Sequence, residues 1–157
     1  MKLGMGDLRW WRAAAAFALL VTAGLGARAW AKELTLDELK ERVAGASVAD
    51  RPALCIEIAE RQEEAAGRLY GAGDVDKAEA ALADVAAFSE LARDYAIQSH
   101  KHEKQTEIAI RKMARKLVSL KHSFVREDQQ QIQDTIDRLE KIRDDLLAAM
   151  FPNGVKK

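Results

Sequence analysis

Apolar side chains recur along this chain at steps of three and four, the spacing that lines one face of an α-helix. Leu36, Leu39 and Val43 open the pattern, and Leu54, Ile58, Ala65 and Leu69 continue it. No window holds a sustained alternation of β-branched residues, so the pattern predicts no strand. Alanine, leucine, glutamate, lysine, arginine and glutamine dominate after Lys32, and all are strong helix formers. The fold class expected is all-α.

Punctuation residues divide the pattern. Thr35-Leu36-Asp37-Glu38 fits a capping box, with Thr35 as N-cap and Glu38 reaching back three residues. Gly45 and Ser47 end that first short helix. A second helix is expected to start near Ser47 or Asp50, because Pro52 then falls in the first turn, where a missing N–H costs little. Gly71-Ala72-Gly73 stops it, and Asp74 is the next N-cap, although Lys77 departs from the usual box partner.

From Asp74 to Phe151 the chain holds neither glycine nor proline. One helix of that length would extend about 117 Å at 1.5 Å per residue, too long for a compact chain of this size. The division is expected where polarity concentrates. Ile110, Met113, Leu117, Leu120 and Phe124 step as a heptad seam, residues 126–131 are wholly polar, and Ile132, Ile136, Leu139, Ile142 and Leu146 restart the stripe. This predicts a long third helix over about 74–122 and a fourth over about 129–151, capped at Asp128 and closed by Pro152-Asn153-Gly154. The polar stretch from Gln98 to Glu107 is expected to be the least buried part of the long helix. The expected architecture is a helical bundle core over 32–97 and a long antiparallel coiled-coil-like hairpin over 98–151, together one domain.

The first thirty-one residues read differently. Lys2, Arg9 and Arg12 precede fourteen uncharged residues, Ala13 to Gly26, and Ala29-Trp30-Ala31 follows. A basic, an apolar and a small-residue segment in that order form a secretory signal pattern. Cleavage after Ala31, or alternatively Ala29, is expected, and a periplasmic or secreted location with it. An uncleaved membrane anchor is the rival, but a spanning helix needs about 20 apolar residues. Membrane contact is therefore expected only through the signal.

The chain has 157 residues, 48% hydrophobic and 32% charged, a length that suggests one domain and a charge content that excludes a polytopic membrane protein. Its 25 basic and 25 acidic residues cancel, which gives no global reason to expect nucleic acid. The cancellation is made of blocks. Residues 101–126 carry eight Lys/Arg against two acids, and residues 127–151 carry three against seven. Opposite blocks on antiparallel neighbours are expected to favour the last hairpin, with the apolar seam holding it.

Candidate chemistry is sparse. Cys55, the one cysteine, sits between Leu54 and Ile56 and reads as a buried thiol rather than a reactive one. His100 and His102 are two apart, whereas a helical metal pair wants four. Solvated histidines are expected, with a metal- or ligand-binding, stress-sensing bundle as the alternative function. Arg111, Lys112, Arg115 and Lys116, with Lys101, Lys104 and Lys121, make a basic patch. No aromatic residue interleaves it between Lys101 and Ser123, so a nucleic-acid stacking platform is not expected. Glu63-Glu64 and Asp144-Asp145 are adjacent on their helices and do not converge. No serine lies in a nucleophile motif, and no glycine-rich phosphate loop appears. No cofactor, no metal and no enzymatic activity are expected.

Gly73-Asp74-Val75-Asp76-Lys77-Ala78 resembles the turn and second-helix start of a tetratricopeptide repeat. Ala65, Ala66 and Leu69 before it, and Ala78, Leu82 and Val85 after it, fall where that family packs its two helices. The likeness covers about 62–90, one repeat, and departs from the family at Gln62, where a large apolar residue is usual, and at Glu90, where no proline follows. It implies a protein-interaction surface. The function expected is accordingly an exported adaptor or structural protein of a bacterial-type cell envelope. Its partner-binding residues, for a protein partner or a second copy, are expected to be Ile110, Met113, Leu117, Leu120, Phe124, Ile132, Ile136 and Leu139.

Overall fold

The computed structural model describes residues 34–124 and 126–153, with side chains except at 126–128. The expected signal segment lies outside the described residues. Five helices follow one another: α1 Leu36–Gly45, α2 Arg51–Gly71, α3 Val75–Ser99, α4 Glu103–Lys121 and α5 Arg126–Met150. The described residues hold no strand, and the fold is an all-helical bundle.

Local chemistry sets the first boundaries. The Thr35 amide donates to Glu38 Oε2 at 2.7 Å, and the Glu38 amide donates to Thr35 Oγ1 at 3.2 Å, which closes the capping box. Pro52 sits in the first turn of α2. The Arg51 guanidinium donates to the carbonyls of Ala46 and Ala44 at 3.1 and 3.3 Å and lies 5.0 Å from the Tyr95 ring centroid. It thereby serves the open C-terminal carbonyls of α1 and ties α1 to α3. After α2, the Asp74 amide donates to Leu69 O and the Gly73 amide to Tyr70 O. That is a Schellman closure, and it puts Gly73 at φ +80°, where a side chain is strained.

Ion pairs and contacts give the helix directions. Gln62 donates to Asp84 across the antiparallel α2/α3 pair. Glu107 meets Arg143, and Lys121 meets Gln133, across the antiparallel α4/α5 pair. Glu63 meets Lys116 and Tyr70 meets Phe124, so α2 runs parallel to α4. Glu90 meets Arg138 and Arg93 meets Asp145, so α3 runs parallel to α5. The result is an up-down-up-down bundle. One apolar cluster joins Ala59, Ala66, Leu82 and Val85 of the first hairpin to Ile110, Met113, Leu117, Ile132, Leu139 and Leu146 of the second. A second cluster packs Leu39 and Val43 of α1 on Cys55, Ile58 and Ala92. The residues that resemble a tetratricopeptide repeat lie on the α2/α3 hairpin, with Ala66, Ala78, Leu82 and Val85 fully buried.

The expected helix over 74–122 is two helices. It breaks at His100-Lys101-His102, with His100 at φ 52° and His102 at φ 63°, both left-handed. The Ser99 hydroxyl donates back to Tyr95 O at 2.7 Å and accepts from the Lys101 amide at 3.3 Å, which helps to end α3. Two left-handed residues cost on the order of 1–2 kcal/mol each. Turning back buries Ile110, Met113 and Leu117 completely or nearly so, at roughly 1.5–3 kcal/mol per side chain. Burial outweighs the backbone cost. Residues 98–105 are exposed or half-exposed, as expected, and the polar stretch is buried only at its end, where Thr106 and Glu107 are 2% and 7% exposed. Helix α5 begins at Arg126, two residues before the Asp128 expected to cap it.

Candidate interaction surface

The eight residues expected to bind a partner lie inside the bundle or along its edge. Ile110, Met113, Leu117, Ile132, Ile136 and Leu139 are at most 3% exposed. Leu120 and Phe124 are half-buried and pack against the same cluster. This corrects the reading of the seam as a docking face: its apolar surface is spent in joining α4 and α5 to α2 and α3. Among the described residues the exposed large apolar side chains are Leu91, Ile108, Val118 and Phe151.

What α4 leaves outside is cationic. Burial of Ile110, Met113, Ala114 and Leu117 fixes the rotation of the helix. Lys104, Ile108, Lys112, Arg115 and Ser119 then stand outward at steps of four, four, three and four. Arg111 and Lys116 flank this row, and its two acids, Glu103 and Glu107, turn inward. Arg111 and Lys116 pair with Glu107 and Glu63. Lys101, Lys104, Lys112 and Arg115 have no ion-pair partner among the described residues. Ile108 and Ser119 line a shallow groove with Arg111, Lys112, Arg115 and Lys116.

The expected attraction between the basic and acidic blocks is not what closes the last hairpin. The ion pair found between α4 and α5 has the reverse polarity, Glu107 on the basic helix with Arg143 on the acidic one, at 3.0 Å. The α5 acid Asp145 turns to Arg93 of α3. Burial on the inner faces sets the helix rotations, and the surplus charges of α4 and α5 are carried outward. On α5 the outward row is Asp134, Asp137, Lys141 and Asp144, with Glu140 beside it.

One titratable group that its sequence context hid is buried. Glu63 is 5% exposed, and its Oε2 accepts from Lys116 Nζ at 3.2 Å. Its Oε1 is buried without a hydrogen-bond partner. Burial raises its pKa, the Lys116 hydrogen bond and charge oppose this, Glu60 and Glu64 add to it, and the result stands at about 7. Burial lowers the pKa of the half-exposed Lys116, but the hydrogen bond and charge of Glu63, with the charges of Glu64 and Glu60, together raise it, and it ends above the usual range. A cavity of about 120 Å³ adjoins the pair, lined by Glu63, Gly67, Lys116, Leu117 and Leu120. The signal that could have found Glu63 is its register: Ala59, Glu63, Ala66 and Tyr70 fall at steps of four, three and four on the buried face of α2.

The remaining candidates stay apart. Cys55 is fully buried, and burial pushes its thiol up to about 11 against a small opposing effect of Arg51, so it is a protonated, inert side chain. His100 and His102 stand in the α3–α4 turn rather than on a helix. His102 lines an open cleft of about 710 Å³ with Arg42, Gly45, Asp50 and Leu54, while His100 faces Glu103 at 3.5 Å. Among the described residues no group of three His, Cys, Asp or Glu side chains is placed to hold a metal ion. None of the described helices is long and apolar enough to cross a membrane. No protein-family model, curated protein or solved structure matches the chain.

Proposed function

We propose that this chain is an exported, all-helical interaction protein of a bacterial-type cell envelope, an adaptor or structural protein that performs no catalysis. The observation that supports it best is the outward face of α4: a row free of acids that holds Lys104, Lys112 and Arg115, all three without an ion-pair partner among the described residues. Exposed charge of one sign on a rigid helix steers and selects an oppositely charged partner. The α2/α3 hairpin supports the same reading, since its small buried residues match those of a tetratricopeptide-like pair, an interaction module. Its single hairpin supplies no concave groove, which leaves α4 as the docking element. The order of segments in residues 1–31 supports export.

Two measurements test this. A photocrosslinking residue placed at Lys112 should yield adducts in intact cell envelopes, while one at the exposed Ala83 of α3 should not. Equal yields from both positions, or none from Lys112, would reject α4 as the docking face. Chain purified from the envelope should begin at Lys32 and lack tryptophan emission, because Trp10, Trp11 and Trp30 all precede that point. Strong indole emission from that material would reject cleavage.

A further inference from the structure

We propose that the outward face of α4 docks on the outward face of α5 in a second copy of this chain, forming a two-fold dimer. The inference rests on the reading of α4 as the docking element and names its partner. Both halves of the interface are on one molecule. The α4 row presents Lys104, Lys112 and Arg115 with Arg111 and Lys116 beside it, and the α5 row presents Asp134, Asp137, Glu140 and Asp144 around Lys141. None of these four α5 acids has an ion-pair partner among the described residues. Asp134 and Asp137 accept only from the glutamines one turn back, Gln130 and Gln133.

The charge pattern selects the symmetry. Two such hairpins can face each other about an axis perpendicular to the helices, which sets α4 against α4 and repels. About an axis parallel to the helices, α4 meets α5 of the second copy twice, and the contact closes on itself. That axis preserves height along the bundle. Within one copy Glu107 is level with Arg143 and Lys121 with Gln133. Interpolating between those contacts sets Arg115 level with Asp137 and Lys112 level with Glu140. The two-fold therefore brings Arg115 opposite Asp137 and Lys112 opposite Glu140 of the second copy. Like-charged neighbours on each face push toward the same solution, because docking relieves both rows. Exposed pairs are screened, so association should strengthen as the Debye length grows from about 8 Å at physiological salt to about 30 Å at 0.01 M.

Sedimentation velocity on the chain as purified from cells reads this directly. The expected result is a monomer–dimer equilibrium whose dissociation constant rises at least about tenfold between low and physiological salt. The variant Lys112→Glu with Arg115→Glu and the variant Asp137→Lys with Glu140→Lys should each be monomeric, with unchanged circular dichroism. Mixed in equal amounts they should form a heterodimer, since every facing pair is again opposite in sign. A wild-type chain that stays monomeric at low salt overturns the proposal. So does a wild-type dimer whose two variants fail to pair when mixed. A monomer that sediments with phosphatidylglycerol vesicles, and not with phosphatidylcholine ones, overturns it in favour of an anionic lipid surface. A monomer that still crosslinks from position 112 in envelopes removes the self-pairing and leaves the interaction role standing.

Discussion

Replacing Glu63 by glutamine should make this protein more stable above neutral pH and leave it nearly unchanged in mild acid. The folded-state pKa of Glu63 is about 7 against an ordinary 4.5. Between those values the folded chain holds a proton that the unfolded chain has released, so stability falls as pH rises through that window and levels off above it. A difference of that size corresponds to roughly 3 kcal/mol at pH 8. The side chain is 4% exposed, so solvent screening removes little of it. Glutamine keeps the volume and an acceptor for Lys116 Nζ while removing the charge that burial penalises. Urea denaturation followed by circular dichroism at pH 5 and pH 8 reads the effect. The gap between Glu63→Gln and wild type should widen by about 2 kcal/mol across that interval. The difference between the two chains cancels the other carboxylates to first order. A Glu63→Gln chain less stable than wild type at pH 8 would mean that the Lys116 ion pair outweighs desolvation. A difference independent of pH would mean that Glu63 is not buried as described. Lys116→Met supplies the complement: it removes the one group that opposes the shift, so the Glu63 titration should move further upward.

Other substitutions probe the turns and the seam. His102→Gly should stabilise the chain by about 0.5–1 kcal/mol, because glycine accepts the left-handed backbone that histidine adopts at φ 63°. If α3 and α4 formed one continuous helix, the same change would instead destabilise, and thermal melting distinguishes the two signs. Gly73→Ala should cost about 1 kcal/mol at φ +80°, whereas Gly67→Ala should gain about 0.5–1 kcal/mol, since its Cβ would meet Leu120 Cδ1 at an ordinary 3.7 Å. Opposite shifts in denaturation midpoint are the expected readout. Leu117→Asp should destabilise by on the order of 4 kcal/mol or more, as an unpaired charge in the core. Wild-type stability with an altered sedimentation coefficient would instead return the seam to the surface.

Much of the local structure was legible in order along the chain. The Thr35 box, Pro52 in the first turn of α2 and Gly73 in the following turn act within four or five residues, and their chemistry needs no distant partner. The seam from Ile110 to Leu146 was legible as apolar periodicity, and so was the burial of Cys55 between Leu54 and Ile56. What that seam would touch was not legible. A heptad stripe wants a partner, and the same residues suit a second chain or the other half of their own. The break at His100 carried no glycine or proline, because the preference that creates it lies in side chains buried ten and more residues away.

The primary structure by itself determined that this chain is helical, where its short-range boundaries lie and which positions are apolar. Those properties follow from backbone conformation and from the 3.6-residue period. Only the tertiary structure decided that α4 turns back onto α2, that Glu63 is enclosed beside Lys116 and that the opposed charge blocks face outward instead of each other. Burial of the inner faces sets the rotation of every helix, and the polar residues take the orientations that remain.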